Sequence, residues 1–580
     1  MGSDVTNSTA TNGAAAAAAP PTRPKLHGRA FYESIGSPKY IVAPMVDQSE
    51  FAWRMLSRSF LPEPQRTSML AYSPMFHARL FAETEKYRNT HFQPTRIPPS
   101  EIPGATATEG VPWLDGNPAI DRPLFVQFCA NEPQHLLAAA KLAAPYCDAV
   151  DLNLGCPQGI AKRGHYGAFL QEDQELIYNL IHTLHEDLSI PVTAKIRVLE
   201  TKEATLKYAQ NVLRAGASIL TVHGRRREQK GHYTGLADWQ YIRYLRENLP
   251  PETVIFANGN ILEHGGLEKC LAATGADGVM SAEGNLSNPG LFAPPPPVGQ
   301  EGREYWRDKD GRRGGWRVDA VFRRYLDILH KYVLDEEPPQ RRPLFMPGDD
   351  SAWLQEQPKA TTTAVGGEQQ QQNGDEPPRK KLDKSHLQSP NFVAIQAHLF
   401  HLLRHFVSKH HDVRDALAKS KLGDIGTYEK VLGMVERKVA EGLLEYRRTD
   451  GKSVEEMAPA PLTAEEEAEI DDTESSARTV RECWRPWWVV QPIIRPLPKE
   501  ALAKGAVQPK KKGKGAAMDS PFPASTPAPT TTNGQATGKA ATTPVPNGED
   551  ASPAAAVPAA VSTLPLEQTT TYEENKLVSG

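Results

Sequence analysis

Between residues 40 and 284 the chain alternates short, nearly unbroken apolar runs with longer stretches whose apolar positions recur every three or four residues. The runs are YIVAPMVD (40–47), SMLAYSPM (68–75), PLFVQFC (123–129), AVDLNLG (149–155), VTAKIRV (192–198), SILTVHG (218–224), VIFANGN (254–260) and GVMSAEG (278–284). They are β-rich and apolar almost throughout, the pattern of strands in a parallel sheet covered by helices. The stretches between most of them are helix-like: QSEFAWRMLSRSF, PQHLLAAAKLAAP, DQELIYNLIHTLHEDL, KEATLKYAQNVLRAGA, LADWQYIRYLRENL and HGGLEKCLAATG. Eight strands in about 250 residues predict an α/β fold, a closed (β/α)8 TIM barrel over 36–295. The rival is an open doubly wound sheet. It usually carries a glycine fingerprint after its first strand, and APMVDQSE is not one.

One connection breaks the rhythm. Residues 84–122 hold TRIPPSEIPGATATEG, too long for an ordinary loop, and 89–121 reads as a surface insertion without an assignable role. After a Pro/Gly linker at 296–315, helical spacing returns in WRVDAVFRRYLDILHKYVL, NFVAIQAHLFHLLRHFVSKHHDVRDAL and TYEKVLGMVERKVAEGL. These predict a small helical domain over 316–450, interrupted by an unstructured segment at 345–390. Residues 1–35 and 497–580 are too poor in apolar side chains to offset chain entropy and are expected to be disordered, with 451–496 partly ordered.

The formal charge of −4 excludes a strongly basic surface overall, so any nucleic-acid contact must come from local patches. The five cysteines form no CxxC pair, which argues against a disulfide framework or a zinc site and for a reducing intracellular compartment. No apolar run reaches the roughly 18 residues of a membrane span, and the N-terminus has no signal-peptide core. The expectation is an intracellular protein, cytoplasmic or nuclear, with no bound metal, membrane anchor or obligate protein partner. RKKLDK (379–384) and PKKKGK (509–514) have the composition of import signals, though lysine-rich tails are usually just solvated.

Polar residues enter the strands where a buried sheet should have none: Gln127, Asp151, Asn153, Lys195, Arg197, His223 and Asn258. Any one of them alone is as well explained as a satisfied core residue. Their recurrence on five consecutive strands points to one shared ligand at the carboxyl face. Strands seven and eight end in Asn258-Gly259-Asn260 and Ala282-Glu283-Gly284, at the recurrent phosphate site of this fold. A phosphorylated cofactor or substrate is therefore expected. Lys195 needs an anionic partner, which a flavin anionic on reduction would supply, with Gln127 on its ring edge.

Cys156 follows strand four in NLGCPQGIAKRGHYGAFL, past the strand end in a Gly/Pro loop. Four roles compete: buried apolar residue, metal ligand, nucleophile paired with His165, or proton donor. The spacing offers no further metal ligands, and no nucleophile elbow is present. Beside a hydride donor, a thiol is suited to protonate the neighbouring carbon of a C=C bond. Lys162, Arg163 and His165 follow it, and Arg225, Arg226, Arg227 and Lys230 follow strand six, two basic loops suited to a polyanion. Arg404, His405, Lys409, His410 and His411 add a weaker signal from the helical region.

These segments together resemble the tRNA-dihydrouridine synthases. NLGCPQGIAKRGHYGAFL, APMVDQSE, TAKIRV, TVHGR, ANGNI and MSAEGNL occur in the family's order over about 38–292, most similar to the eukaryotic branch acting on uridines 16 and 17. The helical region and CWRPWWVVQP (483–492) are similar to later parts of that branch. The resemblance implies an FMN enzyme that uses NADPH or NADH to reduce uracil C5=C6 in tRNA, with hydride to C6 and a proton from Cys156 to C5. It implies flavin contacts at Pro44, Met45, Val46, Gln127, Lys195, His223, Asn258, Gly259, Asn260, Ala282 and Glu283. It implies tRNA contacts at Asn153, Lys162, Arg163, His165 and Arg225. Many bacterial relatives carry an arginine after the last strand's glycine, where this chain has Ala282-Glu283-Gly284, as its branch does. The alternatives are a flavin barrel reducing a free pyrimidine, or an RNA-binding scaffold with a dead barrel.

Overall fold

A computed structural model of the chain describes residues 25–96, 110–355, 388–503 and 505. Eight parallel strands close into a barrel: β1 (Tyr40–Val42), β2 (Met69–His77), β3 (Leu124–Cys129), β4 (Ala149–Leu154), β5 (Val192–Arg197), β6 (Ile219–His223), β7 (Val254–Asn258) and β8 (Gly278–Ser281). They pair in chain order, and β1 meets β8 with Tyr40 opposite Val279. From β3 to β8 every strand residue is buried, which is why the runs are apolar rather than alternating. All eight predicted strands are present, but most end short of the predicted runs. Gly155, Gly259, Asn260 and Ala282 to Gly284 thereby fall outside the strands, on the carboxyl face.

The helices outside the barrel start where the sequence offers a cap. Side chains of Glu132, Asp173, Thr201 and Asp238 accept first-turn N–H groups, each cap contributing about 1 kcal/mol. β2 carries Pro74, which cannot donate to a sheet, and its register with β3 slips between Tyr72 and Met75. Ser73 Oγ covers the gap by accepting the Gln127 N–H at 3.1 Å.

Several predicted boundaries are corrected. Residues 28–34, expected to be part of a tail, form a short helix whose Phe31 and Tyr32 are buried in the core. The insertion is not merely superficial. Residues 97–109 lie outside the described residues, but Leu114, Asp115 and Asp121 are buried, and both carboxylates hold Arg54. The linker contains a two-stranded hairpin, β9 (Tyr305–Arg307) with β10 (Gly314–Trp316). Residues 345–355, expected to be unstructured, are built in: Phe345 is buried and Asp349 pairs with Arg303. Residues 356–387, including RKKLDK, lie outside the described residues, as do PKKKGK and the chain beyond 505.

The helical region, built on Val318–Ile328 and the 24-residue helix Ile425–Arg448, packs on the barrel helix Phe51–Ser59. Asn391 accepts the Ala52 N–H at 2.9 Å, and His398 stacks on Trp53 with ring centroids 3.9 Å apart. CWRPWWVVQP finds a physical role in this contact. Val318 N–H donates to Trp488 O and Val490 N–H to Trp316 O, while Trp487 packs against Phe406 and His410. The chain then continues in order past residue 497 to a helix Pro498–Ala503, whose Ala501 is buried. Among the described residues no helix is long and apolar enough to cross a membrane.

Candidate active site at the barrel mouth

A relay of hydrogen bonds crosses the carboxyl ends of β3, β4 and β5. Thr193 Oγ1 donates to Asp151 Oδ1 at 2.6 Å, and Gln127 Nε2 donates to Asp151 Oδ2 at 2.8 Å. Asn153 Nδ2 donates to Gln127 Oε1 at 2.8 Å. Asn153 Oδ1 then accepts the backbone N–H of Gly155 at 3.1 Å and of Cys156 at 2.9 Å. The register puts Gln127 beside Asp151, Asp151 beside Thr193 and Asn153 beside Lys195, so neighbouring strands supply each link. Its end point is the Cys156 backbone. Burial raises the Asp151 carboxyl to about 6, against the hydrogen bonds from Thr193 and Gln127 that lower it.

Cys156 is buried in a small cluster with Cys129, Ala161 and Tyr166. Gly167, at φ +65°, lets the chain return over it: a Cβ there would lie 2.9 Å from Cys156 Cβ. Basic side chains brace the same loop from outside. Arg197 Nε donates to Gly155 O at 2.7 Å, Lys230 Nζ to Pro157 O at 2.8 Å, and Arg227 Nη1 to Ala168 O at 3.1 Å. Two residues of the loop after β6 are thus engaged with carbonyls of the cysteine loop rather than turned to a polyanion, as the sequence suggested. Arg225 is similarly committed. Its guanidinium donates to Gly235 O, to His223 Nε2 at 3.1 Å and to Asn260 Oδ1 at 2.9 Å. Lys162, Arg163 and His165 do lie exposed beyond Cys156. Asn153, also expected at the tRNA, belongs to the buried relay.

Around this relay the charges are unusual. Lys195 is 4% exposed and has no hydrogen bond or ion pair among the described residues. Burial, helped by Arg197 and opposed by Asp151, brings its ammonium down to about 7. His223 is held well below its ordinary value by burial and by Arg197, Lys195 and Arg225. Because Arg225 donates to Nε2, the neutral ring carries its proton on Nδ1. Asn258 Oδ1 and Ser281 Oγ are buried without partners, while Asn258 Nδ2 donates to Met280 O.

The remaining predicted cofactor residues divide. Pro44 and Met45 are buried at the end of β1, whereas Val46 is 47% exposed. Gly259 sits at φ +119° with 2.5 Å between a would-be Cβ and Ala237, so the turn itself demands glycine. Asn260 closes that turn with bonds to both the N–H and the C=O of Ala237. Ala282 is buried, and Glu283 pairs with Arg495 at 2.7 Å. Thr193, Ser281 and Arg495 were missed by the sequence reading. Arg495 lies 212 positions from its partner, and no local signal announces it.

These groups fit a flavin. Gln127 keeps one amide hydrogen beyond its two network bonds, and Lys195 lacks the anionic partner that burial demands. The orphaned Ser281 hydroxyl can donate at the phosphate end of the fold, whereas Asn258 Oδ1 is an acceptor that calls for a donor. Among the described residues no group of three His, Cys, Asp or Glu side chains is placed to hold a metal ion.

Comparison with known proteins gives consistent matches. The family profile described as "Dihydrouridine synthase (Dus)" matches residues 41–303. A Schizosaccharomyces pombe protein named tRNA-dihydrouridine(16/17) synthase, NAD(P)(+), is 40% identical over 485 residues, 83% of this chain and 94% of its own. The Saccharomyces cerevisiae protein of that name is 42% identical over 477 residues, 82% of this chain and 87% of its own. A Mus musculus protein named tRNA-dihydrouridine(16/17) synthase, NAD(P)(+)-like, is 48% identical over 272 residues, 46% of this chain and 51% of its own. The two yeast matches are far longer than the barrel, so the similarity extends into the helical region.

Proposed function

Because the chain belongs to the dihydrouridine synthase family, we propose that it reduces the C5=C6 bond of uridine in tRNA, at D-loop positions 16 and 17, with flavin mononucleotide and NADPH or NADH. The names of the two yeast relatives support the positions and the nicotinamide reductant. The observation that carries the reading is the relay that ends on Cys156 beside an unpartnered Lys195.

A reduced flavin held in the mouth by Gln127 and Lys195 would supply hydride to C6 of the uracil ring. Every other task falls to the protein. Cys156 Sγ delivers its proton to C5, and a positioned general acid contributes about 10²–10⁴-fold. Asn153 fixes the thiol by holding two successive N–H groups, and Gln127, Asp151 and Thr193 fix Asn153. Arg197, Arg227 and Lys230 anchor the loop carbonyls so that the thiol does not drift from the ring. Burial of Cys156 keeps bulk water from competing as proton source. Lys195 supplies positive charge to the electron-rich edge of the cofactor, and His223 offers a neutral N–H. Lys162 and Arg163, exposed beyond the thiol, hold RNA backbone phosphate.

Replacement of Cys156 by alanine tests the reading. Cys156→Ala purifies yellow and binds tRNA like wild type, but dihydrouridine formation, measured on the isolated tRNA, falls at least about 100-fold. Near-normal turnover removes the acid role, and a colourless wild-type protein removes the flavin.

A further inference from the structure

The C-terminal segment runs along the loops of the barrel mouth. Upstream, it is fixed by Arg485, whose Nη2 bonds Glu263 at 2.9 Å, and by the Trp487–Val490 contacts with β10 and the helical region. Downstream, Pro498 packs beside Gly235 in the loop after β6, 3.6 Å from where a Cβ would stand. Glu500 ties the same stretch back to Ser475 and Ser476. Between these anchors Arg495 grips Glu283. Its Nε lies 3.0 Å from both carboxylate oxygens, and its Nη2 lies 2.7 Å from Oε1.

Glu283 opens the loop after β8 and Asn260 closes the turn after β7. Arg225, bonded to Asn260, interacts electrostatically with both Glu283 and Arg495. His401 of the helical region feels Glu283, Arg404 and Arg495 as well. Two arginines against one carboxylate leave a net positive charge before Arg404 is counted; burial brings His401 down to about 4, so it adds none at neutral pH. Ser281, two residues before Glu283, adds a buried hydroxyl without a partner that is free to donate, 2% exposed. Arg225, Arg404 and Arg495, from three separate parts of the chain, together with the unpartnered Ser281 hydroxyl, describe a site for a phosphate group.

We propose that Arg495 is a cofactor-binding residue, which the C-terminal segment carries across the mouth to contact the phosphate of flavin mononucleotide opposite Arg225. The assignment rests on the flavin reading above. Glu283 acts as a positioning residue that orients the guanidinium by one edge. The C-terminal segment is then part of the cofactor site, and its docking and cofactor retention are linked.

Full-length wild-type, Arg495→Ala and Arg495→Lys proteins are stripped of flavin and titrated with FMN and separately with riboflavin, followed by quenching of flavin fluorescence. Arg495→Ala weakens FMN by about 10-fold or more and leaves riboflavin, which lacks the phosphate, unchanged. Arg495→Lys falls between. Equal FMN affinities in wild type and variant overturn the assignment, and so does equal loss of FMN and riboflavin, which marks a merely structural latch. Retained FMN affinity with weakened tRNA binding places the phosphate in the RNA and also overturns it. A wild type that binds neither flavin contradicts the functional reading itself.

Discussion

Around the helix Phe51–Ser59, Arg54 is fully buried and every charge it meets is answered. Its Nε and Nη2 reach Asp121 and Asp115, its Nη1 reaches Ser49 O, and those carboxylates also accept the N–H groups of Gly116 and Gln93. Burial alone would lower the Arg54 pKa, but Asp121 and Asp115 carry it upward. In β5, Lys195 is also buried but unanswered, and its pKa falls to about 7. The Arg54–Asp115–Asp121 cluster is closed, with its donors and acceptors balanced inside the chain. The region around Lys195 is balanced only if something else enters. Saturation, more than burial or charge, separates a structural polar cluster from a binding site.

Exchange of each cation for methionine sharpens this contrast. Arg54→Met strands two buried carboxylates and costs about 3–5 kcal/mol in urea unfolding. A loss below about 1 kcal/mol breaks the comparison. Lys195→Met removes an unanswered charge, so flavin-free protein loses no stability at neutral pH. The sign of the pH effect follows from linkage. Between about 7 and the ordinary 10.5, the unfolded chain holds the lysine proton and the folded chain does not. Wild-type stability relative to Lys195→Met therefore rises by about 2 kcal/mol from pH 7 to pH 9. A flat difference contradicts an unpaired Lys195.

Smaller effects probe the relay and the rim. Thr193→Val removes the 2.6 Å bond to Asp151 at the far end from Cys156. It slows dihydrouridine formation about 10-fold, with flavin and tRNA affinity unchanged. Weakened binding in place of slowed turnover assigns Thr193 to packing. Lys162→Ala, on the exposed rim, weakens tRNA only a few-fold and lowers the salt slope of binding by about 1. An unchanged slope removes the phosphate contact.

What the sequence revealed follows the same division. The eight strands were legible because a strand buried on both faces must be apolar throughout, and a polar residue such as Gln127 or Asn258 stands out there. Cys156 was legible because it lies past a strand end among Gly and Pro. The closed clusters were not. Asp115 and Asp121 sit in a Pro/Gly-rich insertion, and only the fold brings them to Arg54. Arg227 and Lys230 illustrate a further limit: a basic run has the same composition whether it meets phosphate or backbone carbonyls. Arg495 was hidden in a proline- and lysine-rich tail where no local pattern marks it.

The central claim is that the mouth is unsaturated because a flavin completes it. FMN titration of full-length wild type and Lys195→Met, followed by flavin fluorescence, tests this most directly. The account predicts one flavin per wild-type chain and affinity lower by about 10-fold or more in the variant. Equal affinity in the two proteins, or no flavin bound by wild type, contradicts it.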